Sequence, residues 1–591
     1  MKNIMMRIAV GVLCVATVLG ISSGCKKESD SSGSAIPDLI NSDPIISEPT
    51  TSEDAVSDPK TSQSTPGSSD GKNNSSSVGG FSSRVKLTYP TGQYVFGGDF
   101  EAKWSGGKAG QTYTLKLEKQ NGSGYTTIAE KKGLTASSYK YPGKLENGYY
   151  RIHLQATAPD GTVREASNTK NGGLVFRCYA TTNKEVNNGI DYRFDGSISE
   201  AVLNNYLNRA CTYSIHSGMG APSGFNDAEV EEGLRAILSV GAKYVPRAIA
   251  VFYPSVKYDE KYYSQLAEKI KLAHSVDPDI IFEACMFECV GSSLVSEIKI
   301  PDYVFEAFGQ KKENRSFDGS KMFFQDGYNK DHFGEGTGTP DITRVETQMF
   351  FYYRATRYID MGIESFHMGI MGAIGKNDTD HKCWEKVITK IRQYAAKKAR
   401  RHYVLINGHA GNSYTGSDGA NLVDFIASPS RLFAADGQTE HAPSANNPQK
   451  ADIYPGRQYT WGDAHPPYNA VGAGKSPSGW STEHYPYLVE LDNWGVIKTN
   501  DLTLPRDLWN GYDEISWYAN QPESYRHEFL YYITNKIKNY NENGHFAMPG
   551  VRTVYMVNQK KEIVYRMNST KFCKEGFGDE DAIIAAWKKN K

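Results

Sequence analysis

The sequence has few cysteines, no excess of charge of either sign and, beyond its first residues, no long apolar run. Eight cysteines in 591 residues are too few for a disulfide framework, and no C-x-x-C pair indicates a zinc site. Lys and Arg number 66 and Asp and Glu 67, so no basic field attracts nucleic acid. No later segment approaches the about 18 to 20 apolar residues that span a bilayer. These absences argue against a disulfide-stapled module, a nucleic-acid-binding protein and a chain with several membrane spans.

Motifs for common cofactor chemistry are also missing. The sequence has no H-E-x-x-H, no G-x-S-x-G elbow between a strand and a helix, and no calcium-loop pattern. The stretch GAGKS at 472–476 resembles a phosphate loop, but Asn469 stands where that motif requires its first Gly. Two loop groups could be weak metal sites or ordinary hydrophilic loops: Asp326, Asp331, His332 and Glu335, and Asn377, Asp378, Asp380 and His381. We therefore expect no cofactor and assign no metal.

The amino-terminal residues indicate export and a lipid anchor. MKNIMMR carries positive charge, IAVGVLCVATVLGI is apolar, and SSGC ends in Cys25, which is the order of a bacterial lipoprotein signal. Cleavage before Cys25 and lipidation of its thiol would hold residues 26 onward on a membrane outside the cytoplasm. The alternative is an ordinary signal peptide in which Cys25 is incidental. Residues 1–25 therefore predict an extracytoplasmic, lipid-anchored protein.

Two segments of different composition follow the signal. Residues 26–83 are rich in Ser, Asp, Pro, Thr and Gly without apolar periodicity, which predicts a disordered linker. Residues 84–179 contain short alternating strands separated by Gly-Gly, Asn-Gly and Asp-Gly turns, which predicts a small antiparallel β-sandwich. Its length and the early Trp104 fit an immunoglobulin-like or fibronectin type III-like module. Such a module could be a spacer or could bind carbohydrate.

From residue 180 to 591, strands alternate with long helices, which is the pattern of a parallel α/β domain. The predicted helices have apolar residues at three- and four-residue spacing. Eight strand candidates predict a TIM (β/α)₈ barrel. They span residues 211–217, 243–253, 279–290, 363–371, 402–409, 422–429, 487–494 and 513–520.

Catalytic residues of such a barrel lie at the carboxyl ends of its strands. Three carboxylates occupy such positions: Glu288 after the third strand and Glu490 and Asp492 on the seventh. Glycoside hydrolysis requires one carboxyl group to protonate the leaving oxygen and another to act as nucleophile or base. We therefore predict Glu288 as general acid/base and Glu490 or Asp492 as its partner. In the structural alternative, Glu283 or Glu288 pairs with Arg247, and Glu490 is a salt-bridged core charge.

Aromatic and polar side chains near the same strand ends are candidates for binding sugar. Aromatic residues make up 12% of the chain, and their flat faces suit sugar rings. The candidate substrate-binding residues are Trp480, Trp494, Trp517, Tyr518, His367, His409, His484 and Asn407. For each Trp the alternative is a place in the core, and for each His it is a buried, hydrogen-bonded ring.

Three stretches carry a family resemblance: IPDYVFEAFG, PSGWSTEHYPYLVELDNWG and GYDEISWYANQPESYR. Through them the chain resembles a group of uncharacterised bacterial lipoproteins with a glycoside-hydrolase-like TIM barrel, over most of residues 185–552. The resemblance implies the fold of that region and assigns no catalytic residue.

The sequence therefore predicts an extracytoplasmic glycoside hydrolase whose partners are a carbohydrate substrate and, through Cys25, a membrane. The alternative from another class is a non-catalytic surface glycan-binding lipoprotein. The sugar, the linkage and the oligomeric state are not indicated by any motif.

Overall fold

A computed structural model describes most of the chain from residue 85 to residue 589. The residues it leaves undescribed within that range are 91–93, 108, 171, 214–215, 218–226, 251–259, 287, 333–334, 411–413, 430–431, 435–450, 454–471, 493–513, 560 and 569–575. The predicted signal, lipidation site Cys25 and linker, together with Trp494, therefore lie outside the described residues.

The first described region consists of nine strands in two sheets. They are β1 (Lys86–Tyr89), β2 (Tyr94–Phe96), β3 (Glu101–Ser105), β4 (Thr112–Asn121), β5 (Gly124–Leu134), β6 (Ser138–Lys140), β7 (Gly148–Thr157), β8 (Val163–Glu165) and β9 (Leu174–Tyr179). One sheet has the order β1-β3-β6, and the other has the order β2-β9-β7-β4-β5 with β8 paired to β7. Apolar side chains of both sheets, including Trp104, form one buried cluster. The immunoglobulin-like or fibronectin-like class stays a prediction.

The remaining strands are numbered on in chain order. They are β10 (Cys211–Thr212), β11 (His216–Ser217), β12 (Tyr244–Ala250), β13 (Ile281–Cys285), β14 (Val290–Gly291), β15 (Thr337–Gly338), β16 (Ser365–His367), β17 (Leu405–Gly408), β18 (Phe425–Pro429), β19 (Leu432–Ala434), β20 (Ala451–Ile453), β21 (Gly474–Lys475), β22 (Ser481–Thr482), β23 (Tyr487–Glu490), β24 (Gly544–Phe546), β25 (Met548–Pro549), β26 (Val551–Met556) and β27 (Lys561–Arg566).

Eight of these strands form a curled parallel sheet with helices between them, so the region is a mixed α/β structure. The strand order is β11-β12-β13-β16-β17-β18-β23-β24, which is also their order along the chain, and every neighbouring pair is parallel. Beside this sheet, β10 pairs in parallel with β25, and Ala210, just before β10, forms a bridge with Tyr244 of β12. Seven of the predicted strand segments contain strands of this sheet.

The helices are numbered α1 to α12. They are α1 (Glu200–Leu207), α2 (Asp227–Val240), α3 (Glu260–Val276), α4 (Ser292–Val295), α5 (Asp302–Ala307), α6 (Gly319–Met322), α7 (Val345–Asp360), α8 (Met371–Ile374), α9 (Lys382–Lys398), α10 (Glu514–Ala519), α11 (Glu523–Tyr540) and α12 (Glu580–Lys589), and a 3-10 turn spans Val557–Gln559. In α9 the buried residues Trp384, Val387, Ile388, Ile391 and Ala395 form one stripe, which turns one face of the helix to the core.

The predicted eighth strand, residues 513–520, is wrong. Glu514–Ala519 is the helix α10, and the eighth strand of the sheet is Gly544–Phe546. All six residues of α10 are buried, so its sequence lacks the polar face by which a helix is recognised. A short apolar run of this kind cannot be told from a buried strand by periodicity.

Helix α1 covers the amino end of the curled sheet. Its Leu203 and Tyr206 belong to a buried cluster with Tyr244, Ile281 and Leu405, each of which is the first residue of a strand. The carboxyl ends of the strands lie at the opposite edge, where catalytic groups of parallel α/β sheets are found.

Candidate active site

The predicted catalytic carboxylates lie at the carboxyl end of the curled sheet. Glu490 is the last residue of β23 and Asp492 follows it, while Glu288 lies just beyond β13. The charges of Arg247 and Asp492 act on Glu288, and the same two charges act on Glu490. The fold therefore brings carboxyl groups from distant chain segments under the influence of one guanidinium.

Arg247 is the centre of this site and pairs with Glu490. Its Nε and Nη2 donate to Glu490 Oε1 at 2.7 and 2.5 Å, and both side chains are buried. Among the described residues, Oε2 of Glu490 accepts no hydrogen bond, and Arg552 Nη1 lies 3.9 Å from it. Burial raises the pKa of Glu490, Arg247 opposes that shift, and Asp492 adds to it. One oxygen of Glu490 is thus hydrogen-bonded to a cation, and the other has only the longer ion-pair contact with Arg552.

Asp492 lies between two arginines. Arg552, on β26, donates a hydrogen bond to Oδ1, and Arg247 Nη2 is 3.8 Å from Oδ2. The Asp492 side chain is 9% exposed, so these cations compensate a nearly buried charge. Two arginines and two carboxylates therefore form one cluster at the end of β23.

Glu288 has a different environment from the arginine-bound carboxylates. Its residue is 8% exposed, and its Oε2 accepts a hydrogen bond from the Ile370 N–H at 3.3 Å. Burial raises the pKa of the Glu288 carboxyl, and this outweighs the hydrogen bonds and Arg247, which lower it. A carboxyl group of this kind retains its proton to higher pH than an exposed one.

Three predicted polar residues, His367, His409 and Asn407, lie at the carboxyl ends of β16 and β17. Asn407 Nδ2 donates to Glu283 Oε2 at 2.6 Å, so its Oδ1 faces His367 Nδ1 at 2.7 Å. An amide oxygen only accepts, so Nδ1 of His367 carries the proton. Burial, together with Arg247, holds the pKa of His367 well below its usual value. His409 stacks edge-on with His367, with 4.8 Å between ring centroids, and its Nδ1 lies 3.0 Å from the Ala427 carbonyl.

Trp480 and His484 lie at the other end of the sheet. Trp480 Nε1 donates to the Ile198 carbonyl at 2.9 Å, just before α1, and the ring stacks on Tyr485 with centroids 6.0 Å apart. The exposed His484 uses its carbonyl to accept from Asn543 Nδ2 at 2.8 Å. Both residues precede β23, so its direction places them at its amino end. The predicted grouping of these two residues with the carboxylates is therefore not found.

Trp517 and Tyr518 are in the helical layer rather than at a strand end. Trp517 is 1% exposed and packs edge-on against Phe529 at 5.2 Å. Tyr518 is buried, and its hydroxyl donates to Asp579 Oδ2 at 3.2 Å. Their rings are covered by other side chains, so neither presents a face to a sugar. This placement follows from α10 being a helix and corrects the strand-end position expected for both residues.

Arg552 is a further residue of the site that was not predicted from the sequence. This residue comes from β26, which forms an antiparallel hairpin with β27 directly after the last strands of the sheet. The only available signal was a cationic residue soon after an apolar segment, which is common in any chain. Arg247, considered as a partner of Glu283 or Glu288, instead pairs through its guanidinium with Glu490.

The loop residues considered as metal ligands have other partners. Asp326 pairs with Lys376 at 2.9 Å, and Asp378 accepts hydrogen bonds from the Cys383 and Trp384 N–H groups at the start of α9. Within the described residues, no group of three His, Cys, Asp or Glu side chains is arranged to hold a metal ion. No helix in that part of the chain is long and apolar enough to cross a membrane.

Comparison with known proteins gives structural neighbours only. The sequence matches no family model and no curated protein. A debranching enzyme from Nostoc punctiforme is similar at 9% identity and a TM-score of 0.33, over 67% of this chain and 83% of that one.

Two further structural neighbours are matched over a smaller share of their own length. A type III pullulan hydrolase from Thermococcus kodakarensis matches at 12% identity and a TM-score of 0.21, over 58% of this chain and 64% of that one. An α-galactosidase from Thermus thermophilus matches at 10% identity and a TM-score of 0.24, over 58% of each chain. The chain thus spans less than two thirds of both proteins. Scores this low do not establish a common fold, so function is argued from the site.

Proposed function

We propose that this protein is an extracytoplasmic glycoside hydrolase acting on an oligo- or polysaccharide, and that its curled sheet is a (β/α)₈ barrel. The observation that carries the proposal is the contrast between two buried carboxyl groups near one guanidinium. Glu288 makes no salt bridge in the described structure, whereas Glu490 is paired with Arg247. Burial raises the pKa of both carboxyl groups, and at Glu490 the guanidinium opposes that rise. Acid-assisted glycoside cleavage requires two carboxyl groups whose environments differ in this way.

Glu288 is the general acid/base of this proposal. Its buried carboxyl keeps a proton where an exposed carboxyl has lost it, and that proton goes to the leaving glycosidic oxygen. After departure of the leaving group, the resulting carboxylate can take a proton from the incoming water. Positioned proton transfer of this kind typically contributes about 10²–10⁴-fold in rate.

Glu490 or Asp492 is the second carboxylate, acting as nucleophile or as base toward water. Arg247 pairs with Glu490 and Arg552 with Asp492, and at Glu490 the guanidinium opposes the rise in pKa that burial and Asp492 cause. Glu490 has the stronger support, because its Oε2 accepts no hydrogen bond within the described structure. That oxygen could attack the anomeric carbon while Oε1 stays on Arg247.

A non-catalytic glycan-binding protein is the second candidate. The observation that favours it is the ion-pair cluster itself, because Glu490 and Asp492 both have arginine partners, as purely structural charges do. In that case the partly exposed His409 would contact sugar hydroxyls without bond cleavage. Trp494 follows Asp492 by two residues and remains the candidate for stacking on a sugar.

Kinetics on a panel of aryl glycosides and oligosaccharides separate the two functions. We expect the purified protein to release sugar, and Glu288→Gln and Glu490→Gln each to lower kcat by about 10²-fold or more. Glu364→Gln is the matched control. Glu364 is also buried, but it binds Arg400 and Arg401 just before β16. Binding of a glycan without release of product supports the second function, and activity retained in both variants contradicts the residue assignment.

The cellular location is part of the same proposal and is supported by residues 1–25 of the sequence. We expect Cys25 to carry a lipid that holds the protein on the outer side of a membrane. Cells fed radiolabelled palmitate should label the wild-type protein and not Cys25→Ser. Equal labelling of both proteins would contradict the anchor while leaving the hydrolase proposal intact.

A further inference from the structure

Strand β12 is irregular at the point where it contributes to the site. Its register with β13 joins Val245 to Phe282 and Ile249 to Ala284, so four steps along β12 correspond to two along β13. Pro246, Arg247 and Ala248 therefore lie opposite Glu283 as a bulge. Bulges of this kind redirect side chains and are frequent beside active sites.

Arg247 has a left-handed backbone conformation within this bulge. Its φ is +60°, a backbone conformation that is strained for a residue with a side chain. The bulge also withdraws the Arg247 N–H from regular pairing with β13. A buried N–H without an acceptor would add a further penalty, so the conformation needs a specific partner.

Glu283 supplies that partner. Its Oε1 accepts the Arg247 N–H at 2.9 Å, and its Oε2 accepts from Tyr244 Oη and from Asn407 Nδ2. The residue is 2% exposed. A carboxylate that receives three donors in a buried site is fixed in orientation, and it lies on β13, next to the bulge.

We propose that Glu283 is a positioning residue that holds Arg247 in the left-handed conformation and thereby directs the guanidinium to Glu490. This inference rests on the proposed hydrolase, because the consequence of a displaced Arg247 is a misplaced second carboxylate. Glu283 does not contact substrate in this scheme. It acts on the reaction only through Arg247.

The substitution Glu283→Gln separates this role from simple support of the fold. Glutamine has nearly the same shape, but its single oxygen cannot accept from both Arg247 and Asn407 as the two carboxylate oxygens do. Its amide nitrogen would face a donor. A displacement of about 1 Å in a catalytic group can cost about 10²-fold in rate. We expect Glu283→Gln to lower kcat by about that factor with little change in KM.

A double-mutant cycle with Arg247→Met tests whether the effect passes through Arg247. In the Arg247→Met background, adding Glu283→Gln should change kcat less than about threefold, since coupled residues are not additive. The control Glu364→Gln should lose stability and keep kcat. Independent, multiplicative losses in the cycle would overturn the inference while leaving the hydrolase standing.

A crystal structure of Glu283→Gln decides the matter without activity. If Arg247 leaves the left-handed region and its contact with Glu490, the inference holds even when no glycoside in the panel is cleaved. If both are unchanged, the inference is wrong. Should Glu283→Gln fail to fold, Glu283→Asp keeps the charge but withdraws it by one methylene. We expect Glu283→Asp to show a smaller kcat loss in the same cycle, and an unchanged kcat would overturn the proposal.

Discussion

Replacement of Arg247 by Met tests the energetics of the site. Arg247 and Glu490 are 5% and 4% exposed, and the Nε–Oε1 distance is 2.7 Å. At that distance and an effective dielectric constant of about 20, the attraction is about 6 kcal/mol. Desolvation of both charges offsets part of it, and removal of one partner from a buried pair typically costs about 3–5 kcal/mol. We expect Arg247→Met to lower the free energy of unfolding by about 3–5 kcal/mol at neutral pH.

The pair between Arg357 and Glu260 provides a matched control. Its two hydrogen bonds are 2.7 and 2.8 Å long, but the Glu260 side chain is 82% exposed. Solvent screens such a pair, and its contribution is about 0–1 kcal/mol. Arg357→Met should therefore change the unfolding free energy by less than about 1 kcal/mol, which isolates burial as the cause.

The effect of Arg247→Met should also depend on pH. Arg247 lowers the pKa of Glu490, so its removal raises that folded-state pKa further above the unfolded value. Protonation of Glu490 then favours the folded variant, so the loss of unfolding free energy relative to the wild type shrinks as pH falls through the raised pKa. Urea denaturation followed by Trp fluorescence should show a smaller loss at about pH 5 than at neutral pH. A deficit below about 1 kcal/mol, or one equal at both pH values, would refute a buried ion pair.

Three further predictions concern other parts of the molecule. Burial raises the pKa of Glu288, so its ionisation costs stability above the unfolded pKa, and that cost is relieved as pH falls through the folded pKa. Glu288→Gln should therefore raise the urea midpoint at alkaline pH and not under acid conditions. Trp517→Ala should cost about 3–5 kcal/mol of stability, as for a core aromatic, with KM unchanged; a raised KM at full stability would indicate a sugar platform. Tyr94 of β2 donates a hydrogen bond to Glu232 of α2, so Tyr94→Phe should cost about 1–3 kcal/mol and speed proteolysis between the two regions. Equal cleavage rates would argue against that link.

The apolar strand pattern predicted most of the curled sheet, because strands buried on both faces read as short apolar runs. The same property explains why a strand was wrongly predicted at residues 513–520. A helix that is buried on every side is also a short apolar run, and α10 has no exposed face to reveal its period. The true last strand, Gly544–Phe546, is too short to stand out in sequence.

The sequence predicted where each candidate site residue lies along its strand, but it did not predict which side chains surround that residue in the folded protein. Trp480 and His484 lie ten and six residues before Glu490 in sequence, yet they are at the opposite end of the sheet. The direction of β23 separates them from the carboxylates. Likewise, Arg552 reaches Asp492 only because a hairpin follows the last strand.

The amino-acid pattern was enough to predict that parallel strands carry Glu288, Glu490 and Asp492 to one edge of the sheet, because the end of an apolar run marks the carboxyl end of a strand. The partners of those carboxylates could be found only in the folded protein. The bulge in β12, the left-handed Arg247 and the pairing with Glu490 depend on register between segments far apart in the chain. Local propensity does not encode such register, since it arises when buried charges and hydrogen-bond donors must all find partners together.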